Sequence, residues 1–484
     1  MTTPLPEAIA LKGAPVQSDR PWHTLACVVV GVFMVILDTT AVNVAFPTLQ
    51  REFGATITSA QWIVSLYVLV LGVTTPLAGY LAERYGLKRM YLLGLGLFVL
   101  GSTLCGIAPS LEALIIARAV QGVGGGITQP SGMALLYRAF PPNRIGRAFG
   151  IFGLALLVGP ALGPVLGGWL VDLGHWRWIF FINLPFGVAG IIVGRHWLHE
   201  WRPERRPAFD LLGVILSTVG FGALLVGAAE ARQLSLFAAQ VSISFAIGIV
   251  ALISLWVHSR RIEEPLLELR LLDNPVFLIA NVVGYIGVVA LFAAQFLLPL
   301  YLEQIRSLSP GQVGWILLSQ PLAAAFASPL AGRLYDRIGP RPIAATGFLL
   351  LVLSTWGLVQ LTPTTPVGWI KFLLVIRGLA FGFTIQTTFT TALATVSRDR
   401  VARASALVSA TRFSIQAIAV AVLGSIVAGT TAGGVPLMRD FAAAYGVTLI
   451  FALLALMFAF ALPGWPKPWG GRVGLGPEQV SGER

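Results

Sequence analysis

The sequence predicts an all-α integral membrane protein with 14 transmembrane helices, arranged as two six-helix bundles plus an inserted two-helix hairpin. Three observations lead there. The 484-residue chain is 56% apolar and only 11% charged, with a mean hydropathy of +0.81; a soluble domain with this balance would have too little polar surface to face water. Its apolar residues come in long unbroken runs, which suit helices and not the alternating strands of a membrane barrel. Finally, GYLAERYGLKR at 79–89 returns as GRLYDRIGPR at 332–341. Gly79, Glu83, Arg84, Gly86 and Lys88 line up with Gly332, Asp336, Arg337, Gly339 and Arg341, all at an offset of 253 residues. A charged turn repeated in this way implies two related halves, an architecture more common in solute carriers than in enzymes or channels.

Taken in order, residues 1–21 hold Pro4, Pro6, Pro15 and Pro21 with four charges and no apolar run, and read as a disordered cytoplasmic tail with no cleaved signal peptide. Runs of roughly 20 apolar residues mark spans, here near 22–46, 58–82, 89–108, 111–137, 147–171, 176–198, 210–230, 236–258, 275–302, 310–333, 341–361, 367–394, 404–429 and 441–463. Arg118 in the fourth span matches Arg377 in the twelfth at an offset of 259, and Arg147 matches Arg403 at 256. Spans 1–6 therefore correspond to spans 9–14. The expected units are a bundle over 22–198, a linker hairpin of spans 7 and 8 over 199–260, a second bundle over 261–463 and a cytoplasmic tail over 464–484.

An even span count puts both termini on one side. With that side cytoplasmic, 24 of the 33 Lys and Arg are cytoplasmic, six lie in the opposite loops and span ends, and Arg118, Arg377 and Arg412 lie within spans. This is the bias of the positive-inside rule. The net charge of +12 is spread through short loops and so does not point to nucleic acid. Cys27 and Cys105 read as small buried hydrophobes. There is no metal-ligand cluster, phosphate-binding loop or nucleophile elbow, and no loop long enough to house a nucleotide domain. The expectation is a protein that is not an enzyme, holds no cofactor or metal, and is a monomer whose partners are membrane lipids, protons and a small lipophilic molecule.

Several residues stand out chemically. Asp38, in LDTTAVNVAFP at 37–47, lies about 12 Å from the outer end of its span at 1.5 Å per residue. A lone carboxylate at that depth must be protonated or find a cation. Arg118 lies roughly 10 Å below the outer end of its own span, so the two share a depth. Two readings follow: a static ion pair locking helices, or an acid that exchanges protons as a cavity opens to each side. From Arg118 the fourth span reads RAVQGVGGGITQPSG, with Gln121 and Gln129 polar and its glycines read as close packing. The fifth carries GPALGPVLGG at 159–168. There Gly159, Gly163 and Gly167 form one stripe and Pro160 and Pro164 an adjacent one, followed by Gly168; such a helix packs tightly and bends. Glu83 and Asp336 sit at helix ends, where they can pair with cations or cap a helix of the other half. By repeat symmetry a substrate cavity belongs at mid-membrane between the halves, with Trp62, Gln121, Gln129, Phe292, Gln295 and Gln386 as candidate wall residues and spans 7 and 8 outside.

On these motifs the chain resembles the major facilitator superfamily, especially its fourteen-span drug:proton antiporter group of multidrug efflux type. LDTTAVNVAFP, RAVQGVGGG, GPALGPVLGG and HWRWIFFINLPFG at 175–187 resemble that group's motifs, and GYLAERYGLKR resembles the superfamily loop motif with Glu83 replacing the commoner Asp. The resemblance implies proton coupling at Asp38 and Arg118, and an antiporter hinge over Gly159 to Gly168. It implies a cytoplasmic gate at Gly79, Glu83, Arg84, Gly86, Asp336, Arg337 and Gly339. It further implies export of lipophilic compounds through a bacterial-type inner membrane, driven by the proton gradient. With Asp38 the only acid deep in a span, monocationic or neutral compounds are expected rather than dications. A dedicated exporter or flippase for a lipid or secreted metabolite is the alternative, and a non-transporting membrane sensor a third reading.

Overall fold

The computed structural model describes residues 20–141, 144–201, 209–231, 238–397, 400–428 and 438–464; the expected tails lie largely outside this set. The described residues are helical, with no strand among them. In chain order the helices are α1 (Pro21–Glu52), α2 (Ile57–Tyr85), α3 (Leu87–Gly106), α4 (Leu111–Ala139), α5 (Ile145–Asp172), α6 (Trp178–Phe181), α7 (Asn183–Trp197), α8 (Leu211–Glu230) and α9 (Ala239–Arg261). A short 3-10 turn (Leu269–Asp273) leads into α10 (Pro275–Gln304), α11 (Pro310–Leu317), α12 (Ser319–Ile338), α13 (Pro340–Val359), α14 (Val367–Ala394), α15 (Val401–Ala428) and α16 (Met438–Ala459).

Local chemistry sets the helix starts. Thr56, Ser110 and Asp210 accept the backbone N–H three residues ahead at 3.2, 3.2 and 2.8 Å, satisfying donors a helix start leaves open. Asn274 caps α10 with Pro275 in the first helical position. The two repeated turns use a different device. Gly86 (φ +104°) and Gly339 (φ +79°) each end one helix and begin the next, a backbone state that favours glycine.

Twelve spans among the described residues are long and apolar enough to cross a membrane. Two of them are broken: α6 and α7 form one span interrupted at Ile182, and α11 and α12 another interrupted at Leu318. Helices α4 and α5, of 29 and 28 residues, lie among these spans. Of the fourteen expected spans, twelve are found among the described residues; α4 is not among them, and side chains in part of α5 lie outside the described residues. α4 is rich in glycine and polar residues because it is buried among α1, α2 and α3. A Cβ on Gly122 or Gly126 would meet backbone oxygens of α2 at 2.8 and 2.7 Å, and one on Gly124 would meet the Gly94 oxygen of α3 at 2.6 Å. α14 holds the matching place among α10, α12 and α13.

Helices α1–α7 pack chiefly on one another, as do α10–α16. The main contacts between these groups run through α2 with α15, α5 with α12 and α14, and α4 with α15. The α8–α9 hairpin lies along one edge, where α8 packs on both α2 and α15 and α9 packs on α8. Its base is tied down by Asp210, which accepts from the Leu266 backbone at 2.9 Å and meets His258 at 2.7 Å. Cys27 and Cys105 are buried and unpaired.

Candidate functional site: a buried ionic network and a closed seam

Asp38 and Arg118 meet deep inside the α1–α7 group. Arg118 donates to Asp38 Oδ2 at 2.6 Å, and both residues are 1% exposed. The matched depth in sequence therefore corresponds to contact. Burying such a pair is costly unless the remaining donors and lone pairs are occupied, and here they are. Arg118 Nε donates to the Ile63 carbonyl at 3.1 Å, and its guanidinium lies 3.9 Å from the Tyr67 ring centroid. Asp38 Oδ1 accepts from Gln121 at 2.8 Å and from Asn183 at 3.1 Å. Gln121 also accepts from Arg118 at 2.6 Å, and Ser102 accepts from Gln121 and Asn183 while donating to the Phe180 carbonyl. The network thus draws on α1, α3, α4 and the break between α6 and α7.

Gln121 was expected on the cavity wall, but its amide is spent inside this network, because the α4 face that carries it turns toward α1 and α3 and not toward the seam. Asn183 was not singled out. The signal available was a lone polar residue within the apolar run of HWRWIFFINLPFG, at a point where the span breaks.

The glycine stripe of α5 packs against α1. A Cβ on Gly159 would sit 2.7 Å from Ile36 Cγ2, one on Gly167 would sit 2.8 Å from the Ala41 oxygen, and one on Gly163 would overlap Thr40. The stripe is therefore an interface within one group, beside Asp38, rather than between the groups; Gly168 stands clear at 3.9 Å from Val44. The side chains of Pro160, Pro164 and Gln295 lie outside the described residues.

The seam between the groups is tight at the end of the molecule that carries the two repeated turns, here termed the motif end. Asp336 accepts the backbone N–H of Gly146 at 2.9 Å and of Arg147 at 3.1 Å, capping the first turn of α5 from the other group. Anions favour a helix N-terminus, where free N–H groups and the helix dipole converge. Glu83 makes the corresponding contact on the other diagonal, 2.5 Å from Arg403 of α15. Arg403 and Arg147 are the pair matched by the repeat, so each motif acid meets the start of the same helix in the opposite group. Glycines allow the approach: a Cβ on Gly79 would sit 2.5 Å from the Ala402 oxygen, and one on Gly146 would sit 2.5 Å from the Gly332 oxygen.

The other gate residues divide. Arg84 stacks on its neighbour Tyr85 and Arg337 is exposed, while the cation set against Glu83 across the seam is Arg403. Glu264 and Glu268, between the hairpin and α10, meet Arg403 at 2.7 and 3.8 Å, and Arg400 meets Glu268 at 3.6 Å. These two acids were missed, since nothing in their spacing tells that the linker folds back onto the seam. We expect the double variant Glu83→Gln with Asp336→Asn to favour opening of this end by about 1–3 kcal/mol, slowing turnover more than it weakens substrate binding. Distance distributions between spin labels on the motif-end helix tips check this; an unchanged distribution would leave the two acids as topology signals only.

Above the latch, Gln386 lies 3.0 Å from where a Gly153 Cβ would stand, at the junction of α5, α12 and α14. Gln129 is buried in α4, one turn from Met133, which meets Ser409 of α15. Phe292 stacks edge-on with Phe381, and Trp62 is 48% exposed. The threonine-rich face of α14 is largely self-satisfied: Thr384, Thr388 and Thr391 donate to carbonyls four residues back, a common habit of hydroxyls in helices.

A helical membrane bundle in which an acid of each group meets the opposite group at one end, with a buried ion pair inside one group, suits a carrier-type protein. The profile of the Major Facilitator Superfamily matches residues 28–420 and 283–473, and the chain belongs to that family of membrane transporters. It is 37% identical over 373 residues to the uncharacterized MFS-type transporter YhcA of Bacillus subtilis (strain 168), covering 77% of this chain and 70% of that one. It is 36% identical over 392 residues to the multidrug resistance protein B homolog of Mycobacterium tuberculosis (strain ATCC 25618 / H37Rv), covering 79% and 72%. It is 32% identical over 367 residues to the riboflavin transporter RibZ of Clostridioides difficile (strain 630), covering 75% and 78%. Among solved structures, the proton:xylose symporter XylE shares the fold, with a TM-score of 0.65 at 13% identity over 93% of this chain and 97% of that one.

Proposed function

We propose that this transporter is a proton-coupled antiporter of the fourteen-span drug-efflux group, exporting lipophilic compounds by alternating access. In this reading α4 and α5 complete the fourteen spans as two six-helix bundles and a linker hairpin. The motif end is cytoplasmic with both termini on that side, and the membrane is a bacterial-type inner membrane. The carrying observation is the Asp38 network: a single deep carboxylate, sealed from solvent in a state closed at the motif end. Such a group, paired in one state and wetted in the other, is what coupling to protons requires. The glycine interface of α5 on α1 gives the Asp38 region a way to shift as the seam opens. The multidrug resistance relative supports the cargo class. Asp38 is already paired, so the site offers a monocation no free deep carboxylate, and neutral cargo suits it better.

A second reading, a dedicated exporter or flippase for a lipid or metabolite, is favoured by the riboflavin transporter relative. Flux into and out of proteoliposomes over a panel of lipophilic cations, neutral drugs, riboflavin and lipids separates them. Proton-dependent movement of many unrelated compounds is the expected result. Movement of a single compound selects the second reading, and no movement of any would overturn both.

A further inference from the structure

We propose that Glu264 and Glu268 are positioning residues that compete with Glu83 for Arg403 and so favour opening of the motif end. The proposal rests on the alternating-access part of the proposed function and is independent of cargo and of protons. Three carboxylates converge on one guanidinium. Glu83 reaches Arg403 from the opposite group at 2.5 Å, while Glu264 and Glu268 reach it at 2.7 and 3.8 Å from the segment that joins α9 to α10. Arg403 is 4% exposed and Glu268 2%, so water does little to screen these charges. A latch between the groups needs only one acid and one base, and the two further acids call for a role of their own.

The joining segment is held in place independently of Arg403. Leu266 and Leu267 are fully buried, and the Leu266 N–H donates to Asp210, the cap of α8, which in turn meets His258 near the end of α9. Arg270 closes the segment on itself, donating to the carbonyls of Arg260 and Ile262 at 3.2 and 3.1 Å. Arg400 lies 3.6 Å from Glu268 and keeps that carboxylate beside the start of α15. The segment runs through the 3-10 turn straight into α10, which packs on α15. Glu264 and Glu268 therefore travel with Arg403 when the seam parts, and Glu83 does not. Two electrostatic effects then act in the same direction. While the end is shut, like charges crowd one arginine and repel one another. Once it opens, a buried arginine stripped of Glu83 would carry the penalty of an unpaired charge, and the two acids that stay with it remove that penalty. Both effects ease the parting of the groups. A passive brace would act the other way, because removing its acids would loosen the start of α15 and open the end.

The test is the distribution of distances between spin labels on the motif-end tips of α3 and α13, measured on the full chain in nanodiscs. Asp336→Asn is introduced first, because it should raise the open population while leaving Glu83 and Arg403 in place. In that background Glu264→Gln should raise the ratio of closed to open about twofold, in keeping with a partly exposed pair. Glu264→Gln together with Glu268→Gln should raise it about tenfold. The Glu264 side chain is 52% exposed, so its variant carries the test even where the buried Glu268→Gln fails to fold. The same substitutions made alongside Glu83→Gln should leave the ratio unchanged, since no charge then competes for Arg403. Two populations whose ratio stays put or moves toward open in the background that keeps Glu83 would overturn the proposal. So would an equal closing shift without Glu83, which a merely structural effect would give. A single distribution in every variant, with and without cargo, would instead remove alternating access itself, and the proposal with it.

Discussion

Asp38→Asn is expected to abolish pH-driven transport while leaving a protein that still binds and exchanges cargo. The Asn side chain keeps an acceptor for Gln121 and Asn183 but cannot carry charge, so the one deep group able to alternate between proton-bound and proton-free forms is gone. The change also strips Arg118 of its counter-ion. Removing one partner of a buried pair costs about 3–5 kcal/mol, offset in part here by Gln121, the Ile63 carbonyl and the Tyr67 ring. Lowered thermal stability should therefore accompany the loss. To keep stability from masking mechanism, exchange of labelled for unlabelled substrate at equal pH on both sides is measured beside gradient-driven flux. Preserved exchange with lost gradient-driven flux is the expected pattern, and normal gradient-driven flux in the variant would sink the coupling role.

Gly332→Leu should have an effect as large by a different route. Gly332 and Gly146 touch backbone to backbone where α12 crosses α5, and each lies where a Cβ on the other would go. A flexible side-chain tip could yield; two helix backbones held by the Asp336 cap cannot. Overpacking a tight contact costs about 1–3 kcal/mol where neighbours can adjust, and here they can do so only by separating the helices. In the proposed alternating-access cycle this contact parts as the seam opens, so the variant should fold, yet it should populate states open at the motif end and turn over more than about tenfold more slowly, the factor given by 1.4 kcal/mol. Label distances across α5 and α12 read the population directly. A closed-state distribution unchanged from the parent would show that the crossing is looser than the geometry indicates.

The parts of this protein that were legible in the sequence are those encoded by periodicity or repetition. Apolar runs placed the twelve apolar spans, and the 253-residue echo located the two turns whose glycines adopt positive φ. Depth arithmetic along two helices brought Asp38 and Arg118 to one level, but level alone does not say which way a side chain faces. That depends on helix rotation, which is set by packing. Gln121 was misread for this reason: it lies within one turn of Arg118, so the rotation that aims the arginine at Asp38 aims the amide there too. Asn183 depended on the break between α6 and α7, which hydropathy smooths over. Glu264 and Glu268 depended on a linker folding back across the seam, a long-range event with no local pattern. α4 shows the limit of apolarity itself, because a helix surrounded by other helices has no need of a greasy surface and can spend its positions on glycine and glutamine.

The most direct test of proton antiport is the proton movement that cargo drives. Proteoliposomes are loaded with a transported compound and an internal pH dye, then diluted into cargo-free buffer with no initial pH gradient and with potassium and valinomycin clamping the voltage. Exchange of cargo for protons predicts that the interior acidifies as the compound leaves, and that Asp38→Asn vesicles show no such change. Cargo leaving with a steady internal pH, or with the interior turning alkaline, would contradict proton antiport.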